Sequence, residues 1–182
     1  METLEISREL GRVVTKEATV VAMSGGVDSS VAAAMMTRKQ SNVIGITLKL
    51  YDEKKVAKSK TCCAGSDILD AKRIASTINI PHYVLDYESI FKENVIDPFI
   101  AEYKAGRTPI PCISCNEKVK FLDLINFARK IGASSLTTGH YIKKLKIRDE
   151  WGLYIPADED RDQSYFLFSI KYDDLDYTKT KA

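Results

Sequence analysis

Val20-Val21-Ala22-Met23-Ser24-Gly25-Gly26-Val27-Asp28-Ser29-Ser30 runs from an apolar stretch through paired glycines into a helix-like pattern. Val20 to Met23 reads as a buried strand, Gly25-Gly26 as a tight turn, and Val27 onward as a helix with Val31, Ala34 and Met35 on its apolar face. The first N–H groups of a helix have no intrahelical partner, and the helix dipole favours negative charge there. A glycine-lined turn at that point lets phosphate approach the backbone. Ser24, Ser29 and Ser30 are expected to add hydroxyl donors. The stretch is not a Walker A loop, because no Gly-Lys-Ser/Thr follows, and it lacks the spaced Gly-x-Gly-x-x-Gly of dinucleotide binders.

A chain of 182 residues is long enough to bury one good core and short for two, so one compact unit is expected. With 45% hydrophobic and 29% charged residues, disorder and a membrane class are both disfavoured. No apolar run approaches the length of a membrane span, and no basic segment precedes an apolar one at the N-terminus, so a cytoplasmic protein is expected. The net charge of +2 is too small to announce nucleic-acid binding by itself. Cys62, Cys63, Cys112 and Cys115, without a leader, are read as catalytic, metal-binding or inert rather than as disulfide staples.

Residues 1–18 read as a polar arm, residues 19–170 as the folded domain, and residues 171–182 as a frayed, disordered tail. Asn42 to Leu50 reads as a second strand, parallel to the first because a helix intervenes, which places a ligand at the carboxyl ends of both. Lys54, Lys55, Lys58 and Lys60 lie on a charged loop that could meet RNA phosphates or simply be solvated. Ser66 is read as the cap of a helix burying Ile68, Ala71, Ala75 and Ile78. Strand His82 to Asp86 and a helix from Tyr87 to Lys104, broken or kinked near Asp97-Pro98, follow. His82 is taken as structural. Ser134 to Thr138 reads as a fourth strand ending at Gly139, Leu145 to Ile147 and Leu153 to Ile155 as a hairpin, and 162–168 as a short helix.

The segment 105–116 carries two prolines and a glycine, so it is read as a constrained loop, followed by a helix from about Cys115 to Lys130 with Phe121, Leu124, Ile125, Ala128 and Ile131 inward. Ser114 with Glu117 fits a capping box and puts Cys115 in the first helical turn. There the helix dipole would lower its thiol pKa below about 8.5, so Cys115 is the nucleophile candidate. Cys112 and Cys115 form a C-x-x-C pair. Together with Cys62 and Cys63 they could hold zinc or an iron–sulfur cluster, although simple loop cysteines at 62 and 63 fit the spacing better.

Ser24-Gly-Gly-Val-Asp-Ser-Ser30 resembles the pyrophosphate loop (PP-loop) of the ATP pyrophosphatase superfamily, whose members cleave ATP to AMP and pyrophosphate while adenylating an oxygen. In such a site Asp28 would hold Mg²⁺ against the phosphates. Ala22 to Ser29, Ala105-Gly-Arg-Thr-Pro109, Cys115-Asn116, Val119-Lys-Phe121, Thr138-Gly-His-Tyr141 and Asp162-Gln-Ser-Tyr-Phe-Leu167 occur in an order similar to that of the tRNA 2-thiouridylase family. That resemblance implies an α/β, Rossmann-like parallel sheet flanked by helices, of the HUP or adenine nucleotide alpha hydrolase-like type. It implies ATP and Mg²⁺ as cofactors, tRNA as partner, and a cysteine desulfurase or sulfur-relay protein as persulfide donor, with no membrane.

By motif, Ala22, Met23, Ser24, Gly25, Gly26, Val27, Asp28 and Ser29 would bind the phosphates, and Leu48 and Gly139 would border the adenosine. Cys115 and Asp28 would be catalytic. Ile110, Pro111 and Cys112 would touch the target base, and Arg161, Asp162 and Gln163 the tRNA. A wobble base must be unstacked and flipped to be reached, which fits a base-contacting segment beside the ATP site. Two positions depart from the family pattern: Ile110 stands where many members have Asn, and Cys112 at a position that alternates between Asp and Cys. Members also continue through a central domain and a C-terminal β-barrel, and their second, persulfide-carrying cysteine lies there.

Overall fold

The structure is a computed structural model that describes residue 14 and residues 17–40, 42–51 and 65–180. The expected N-terminal arm, apart from those of its residues, and the readings placed on the 54–60 lysines, Cys62 and Cys63 lie outside the described residues.

Five strands form one parallel sheet: β1 (Thr19–Ala22), β2 (Val43–Lys49), β3 (His82–Asp86), β4 (Ser135–Thr138) and, after a separate hairpin of β5 (Lys143–Ile147) and β6 (Glu150–Tyr154), β7 (Thr178–Thr180). Their order across the sheet is β3-β2-β1-β4-β7. β1 is central, with Val20 opposite Ile44 of β2 and Leu136 of β4. Because helices cover both faces, β1 and β2 are apolar without alternation. Val20 packs with Ile46, Leu85 and Ile125 on one face, while Val21 meets Met23, Ala33, Met36, Ala71 and Ala75 on the other. The chain winds outward from β1 to β2 and β3, then returns to β4 on the opposite side. A crevice therefore opens at the carboxyl ends of β1 and β4, where doubly wound sheets bind ligands.

Helices α1 (Val27–Lys39) and α2 (Gly65–Thr77) flank the sheet. The segment 88–104, α3, runs from Glu88–Phe91 through a π turn, Lys92–Ile96, into Asp97–Lys104. The wide turn lies just ahead of Pro98, whose missing N–H and ring disturb the regular ladder, so the expected break is a change of helical register. The segment 111–130, α4, likewise passes from Pro111–Ser114 through a π stretch, Cys115–Asp123, to Leu124–Lys130. Its expected inward face is buried throughout.

Several expectations need correction, among them the Ser66 cap, since α2 already includes Gly65. On α1 the inward residues are Ser29, Ala32, Ala33 and Met36, whereas Val31 and Met35 are each 37% exposed. Ser29 Oγ accepts from Ser24 N at 3.1 Å, which pins position 29 inward and turns 33 and 36 after it. Helix α4 starts at Pro111, whose fixed φ suits a first helical position. Ser114 is itself helical (φ −59°, ψ −40°) and makes no side-chain cap, so Cys115 is not in the first turn and the capping box is not formed.

The hairpin turns at Arg148-Asp149, both with positive φ (50° and 68°), as a two-residue connection requires. The tail expected to fray instead forms α5 (Tyr172–Tyr177) and β7, which pairs with β4 through Leu136–Thr178. Its anchors are distant in sequence. Arg129 Nη1 meets the buried Asp174 Oδ1 at 3.0 Å, Tyr177 Oη donates to Ala133 O at 2.6 Å, and Lys144 Nζ donates to the carbonyls of Leu175 and Thr178.

Candidate functional site

The turn after β1 is held by its own serines. Ser29 Oγ and Ser30 Oγ donate to Gly26 O at 3.0 and 2.8 Å, and Ser24 Oγ lies 3.2 Å from Ser29 Oγ. The hydroxyls of Ser29 and Ser30 therefore brace the loop and are not free donors, in contrast to the expectation. Gly26 caps α1 without any side-chain bond, at a helix start whose dipole favours an anion. Gly25 has φ +78°, and a Cβ there would fall 2.2 Å from Asp67 O at the start of α2, so only glycine fits.

Ala22, Met23, Ser24, Asp28, Ser29, Leu48 and Gly139 line one cavity with Ile46, Leu50, Leu124, Lys120, His140 and Gln163. One wall, from the loop, is polar. The other, made of Ile46, Leu48, Leu50 and Leu124, is apolar, which suits a phosphate at one end and a flat base at the other. Gly25 and Val27 face away, toward a shallow groove between α1 and α2, and Val27 is 77% exposed. The backbone of Gly139 packs directly on α1: a Cβ would lie 2.7 Å from Ser29 N and 2.8 Å from Asp28 C.

A second cavity is lined by Pro111, Cys112, Cys115, Asn116, Tyr51, Phe91, Phe166 and, again, Leu50, Lys120, His140 and Gln163. The shared residues make the two cavities neighbours. Neither thiol is in a disulfide; Cys112 is exposed and Cys115 buried. Asn116 is buried, its Nδ2 donates to Phe166 O at 3.3 Å, and its Oδ1 has no hydrogen-bond partner, so an unused acceptor lies beside Cys115. Among the described residues, no group of three His, Cys, Asp or Glu side chains could hold a metal ion.

Among the described residues that line either cavity, Lys120 is the only Lys or Arg. His140 joins it at the boundary, its Nδ1 3.1 Å from Thr138 Oγ1 and its ring 5.6 Å from that of Phe121. Burial, helped by the charge of Lys120, pushes the His140 pKa down to about 3, so the imidazole is neutral near pH 7. Both residues lie inside stretches that carry the family resemblance, Val119-Lys-Phe121 and Thr138-Gly-His-Tyr141, but neither takes a role of its own from the sequence, because nothing in its spacing shows that the two meet at a cavity boundary.

The 161–163 turn sits against the phosphate loop. Gln163 lines both cavities, Asp162 accepts from Ser164 N at 2.9 Å, and Arg161 reaches Tyr141. Ile110 is 42% exposed just ahead of α4. His82 is structural, as expected: Thr47 Oγ1 donates to Met23 O, and His82 Nε2 lies 2.8 Å from that hydroxyl. No helix among the described residues is long and apolar enough to cross a membrane.

The profile of the family described as "tRNA methyl transferase HUP domain" matches residues 17–180. The chain is 51% identical over 177 residues to a tRNA-specific 2-thiouridylase MnmA of Zymomonas mobilis, covering 97% of this chain and 48% of that protein. It is 54% identical over 161 residues to the protein of the same name from Brucella suis, covering 88% and 40%. The chain thus spans less than half the length of these relatives. Among solved structures, an NH3-dependent NAD synthetase from Campylobacter jejuni aligns with 16% identity and a TM-score of 0.46, over 75% of this chain and 56% of that one.

Proposed function

This chain belongs to the tRNA methyl transferase HUP domain family, and on that premise we propose that it is the ATP-using part of a tRNA 2-thiouridylase. The reaction is adenylation of the wobble uridine O2 followed by replacement of that oxygen with sulfur. Uridine O2 attacks the α-phosphorus of ATP and pyrophosphate leaves. The terminal sulfur of the donor persulfide then attacks C2, and AMP departs with the former O2. The Cys115 thiolate attacks the inner, cysteine-bound sulfur, which breaks the S–S bond, releases 2-thiouridine and leaves a Cys115–donor disulfide that an external dithiol reduces.

One observation carries this reading: the cavity of the phosphate loop and the cavity of Cys112 and Cys115 share a boundary at Lys120, His140 and Gln163. In it, Ala22, Met23, Ser24, Asp28 and Ser29 line the phosphate end while Gly25, Gly26 and Val27 shape the turn, Leu48 and Gly139 border the adenosine, and Pro111, Cys112 and the adjacent Ile110 contact the uracil. Cys115 is the nucleophile; since it does not sit in a first helical turn, its placement in the cavity supports the role and the helix dipole does not. Lys120 lies where the α-phosphate would bridge the two halves and offsets its charge, while the neutral His140 can hydrogen-bond without adding charge. Asp28 fits Mg²⁺, a hard cation that prefers carboxylate and phosphate oxygens and, when bound, shields phosphate charge. Arg161, Asp162 and Gln163 meet the tRNA backbone, and a cysteine desulfurase or relay protein supplies the persulfide.

ATP–pyrophosphate exchange tests the reading, with Mg²⁺, unmodified tRNA and an Asp28→Ala control. Exchange that requires tRNA and disappears in the control supports it. ATP binding without exchange refutes adenylation by this chain and leaves an incomplete nucleotide-binding remnant. Exchange that ignores tRNA points to another PP-loop ATP pyrophosphatase.

A further inference from the structure

Asp28 Oδ1 accepts a hydrogen bond from Tyr141 Oη at 2.7 Å, across 113 positions of sequence. Tyr141 is itself held on three sides. Arg161 Nη1 donates to Tyr141 Oη at 3.3 Å, and the guanidinium lies 5.4 Å from the ring centroid. The Tyr141 backbone is clamped by Gln163, with Tyr141 N donating to Gln163 Oε1 at 2.9 Å and Gln163 N to Tyr141 O at 3.0 Å. Two residues earlier, Gly139 packs on the backbone of Asp28 and Ser29 with no room for a Cβ.

A tyrosine hydroxyl has one proton to give. Here it goes to the carboxylate, and the oxygen's lone pair takes an Arg161 N–H, which polarises the O–H further. An unheld carboxylate in a first helical turn rotates about its side-chain bonds; a donor at one oxygen fixes its orientation. Partners behind a metal ligand act in this way, and their loss costs about 10–100-fold in metal affinity.

We propose that Tyr141 is a positioning residue that fixes Asp28 for its metal, and that Arg161, by bracing Tyr141, ties the 161–163 turn to the phosphate loop. The inference rests on Asp28 being the Mg²⁺ ligand of the proposed function. It gives Arg161 a role at the nucleotide site in addition to any contact with RNA.

The test is calorimetric titration of the full chain with ATP at a series of Mg²⁺ concentrations, using Tyr141→Phe, Arg161→Gln, Asp28→Asn and the Tyr141→Phe/Asp28→Asn double variant. Tyr141→Phe is expected to raise the Mg²⁺ concentration for half-maximal enhancement of ATP binding by about tenfold or more. Binding of ATP without Mg²⁺ should stay unchanged, which a merely structural role for the hydroxyl would not predict. Arg161→Gln should shift the requirement in the same direction by less. Tyr141→Phe should add nothing on the Asp28→Asn background, because the two act as a unit. A wild-type chain whose ATP binding ignores Mg²⁺ overturns the reading of Asp28 and this inference with it. A Mg²⁺-dependent wild type matched by Tyr141→Phe overturns this inference alone.

Discussion

Substituting Gly139 by Ala adds one methyl group where β4 runs onto the start of α1. That carbon would sit 2.7 Å from Ser29 N, 2.8 Å from Asp28 C and 2.9 Å from Ser29 Cα. All three are backbone atoms, so no side-chain tip can swing aside. Ordinary contact begins near 3.4 Å, so the loop and strand end must part by roughly 0.7 Å, in a region packed as densely as a crystal. The Ser24–Ser29 and Ser29–Gly26 bonds resist that movement. Overpacking of this kind costs about 1–3 kcal/mol. In a chain of this length that lowers the thermal midpoint by about 2–4 °C per kcal/mol.

If the strain is relieved by displacing the loop, each 1.4 kcal/mol also removes about a factor of ten in ATP affinity. The assay is calorimetric ATP binding with Mg²⁺ beside a thermal melt, with Gly132→Ala for comparison. Gly132 has φ +85° and nothing within 4 Å of an added Cβ, so its substitution strains the backbone without crowding a neighbour. Gly139→Ala should lose affinity at least tenfold, and Gly132→Ala should lose stability alone. Wild-type ATP affinity in Gly139→Ala would refute the close approach.

Three further outcomes are expected. Burial first, and Lys72 and Lys120 second, hold His82 at about 4 and His140 at about 3, both below the ordinary 6.5. The unfolded chain therefore takes up protons that the folded one refuses, and stability that is intact above pH 6.5 falls as pH drops toward 4. The slope is about 1.4 kcal/mol per pH unit for His140 and less for the partly solvated His82. Urea midpoints at several pH values check this, and a flat profile between pH 6.5 and 4.5 refutes it. Cys115→Ser should abolish sulfur transfer to tRNA in a single-turnover assay while ATP binding persists; loss of both together would count against its role. Arg129→Ala strips the 3.0 Å partner from Asp174, which is only 7% exposed, and should cost about 1–3 kcal/mol. Amide exchange should then quicken at Leu136 to Thr138, and unaltered exchange there would show that β7 is anchored otherwise.

The parts of the fold carried by local pattern were legible. Continuous apolar runs marked β1 and β2, the paired glycines marked the loop, and the 3.6-residue period of 121–131 marked the inner face of α4. Segments whose order depends on distant partners were not. Tyr172–Tyr177 and Thr178–Thr180 have no periodicity and are held by Arg129, Ala133, Lys144 and the free edge of β4. The rotation of α1 hung on one hydroxyl bond to Ser24, and the start of α4 on a proline that pattern reading treats as a breaker.

Sequence alone determined the chemistry on offer. A glycine-lined anion loop, an aspartate for a hard cation and a C-x-x-C cysteine pair are set by residue type and near-neighbour spacing. Only the tertiary structure decided which of these meet. It joined the two cavities through Lys120, His140 and Gln163, turned Ser29 and Ser30 from ligand donors into loop braces, and set Tyr141 against Asp28. The reason is that hydrogen bonds and close packing act over about 3–4 Å, and which atoms come that close is fixed by the winding of the sheet.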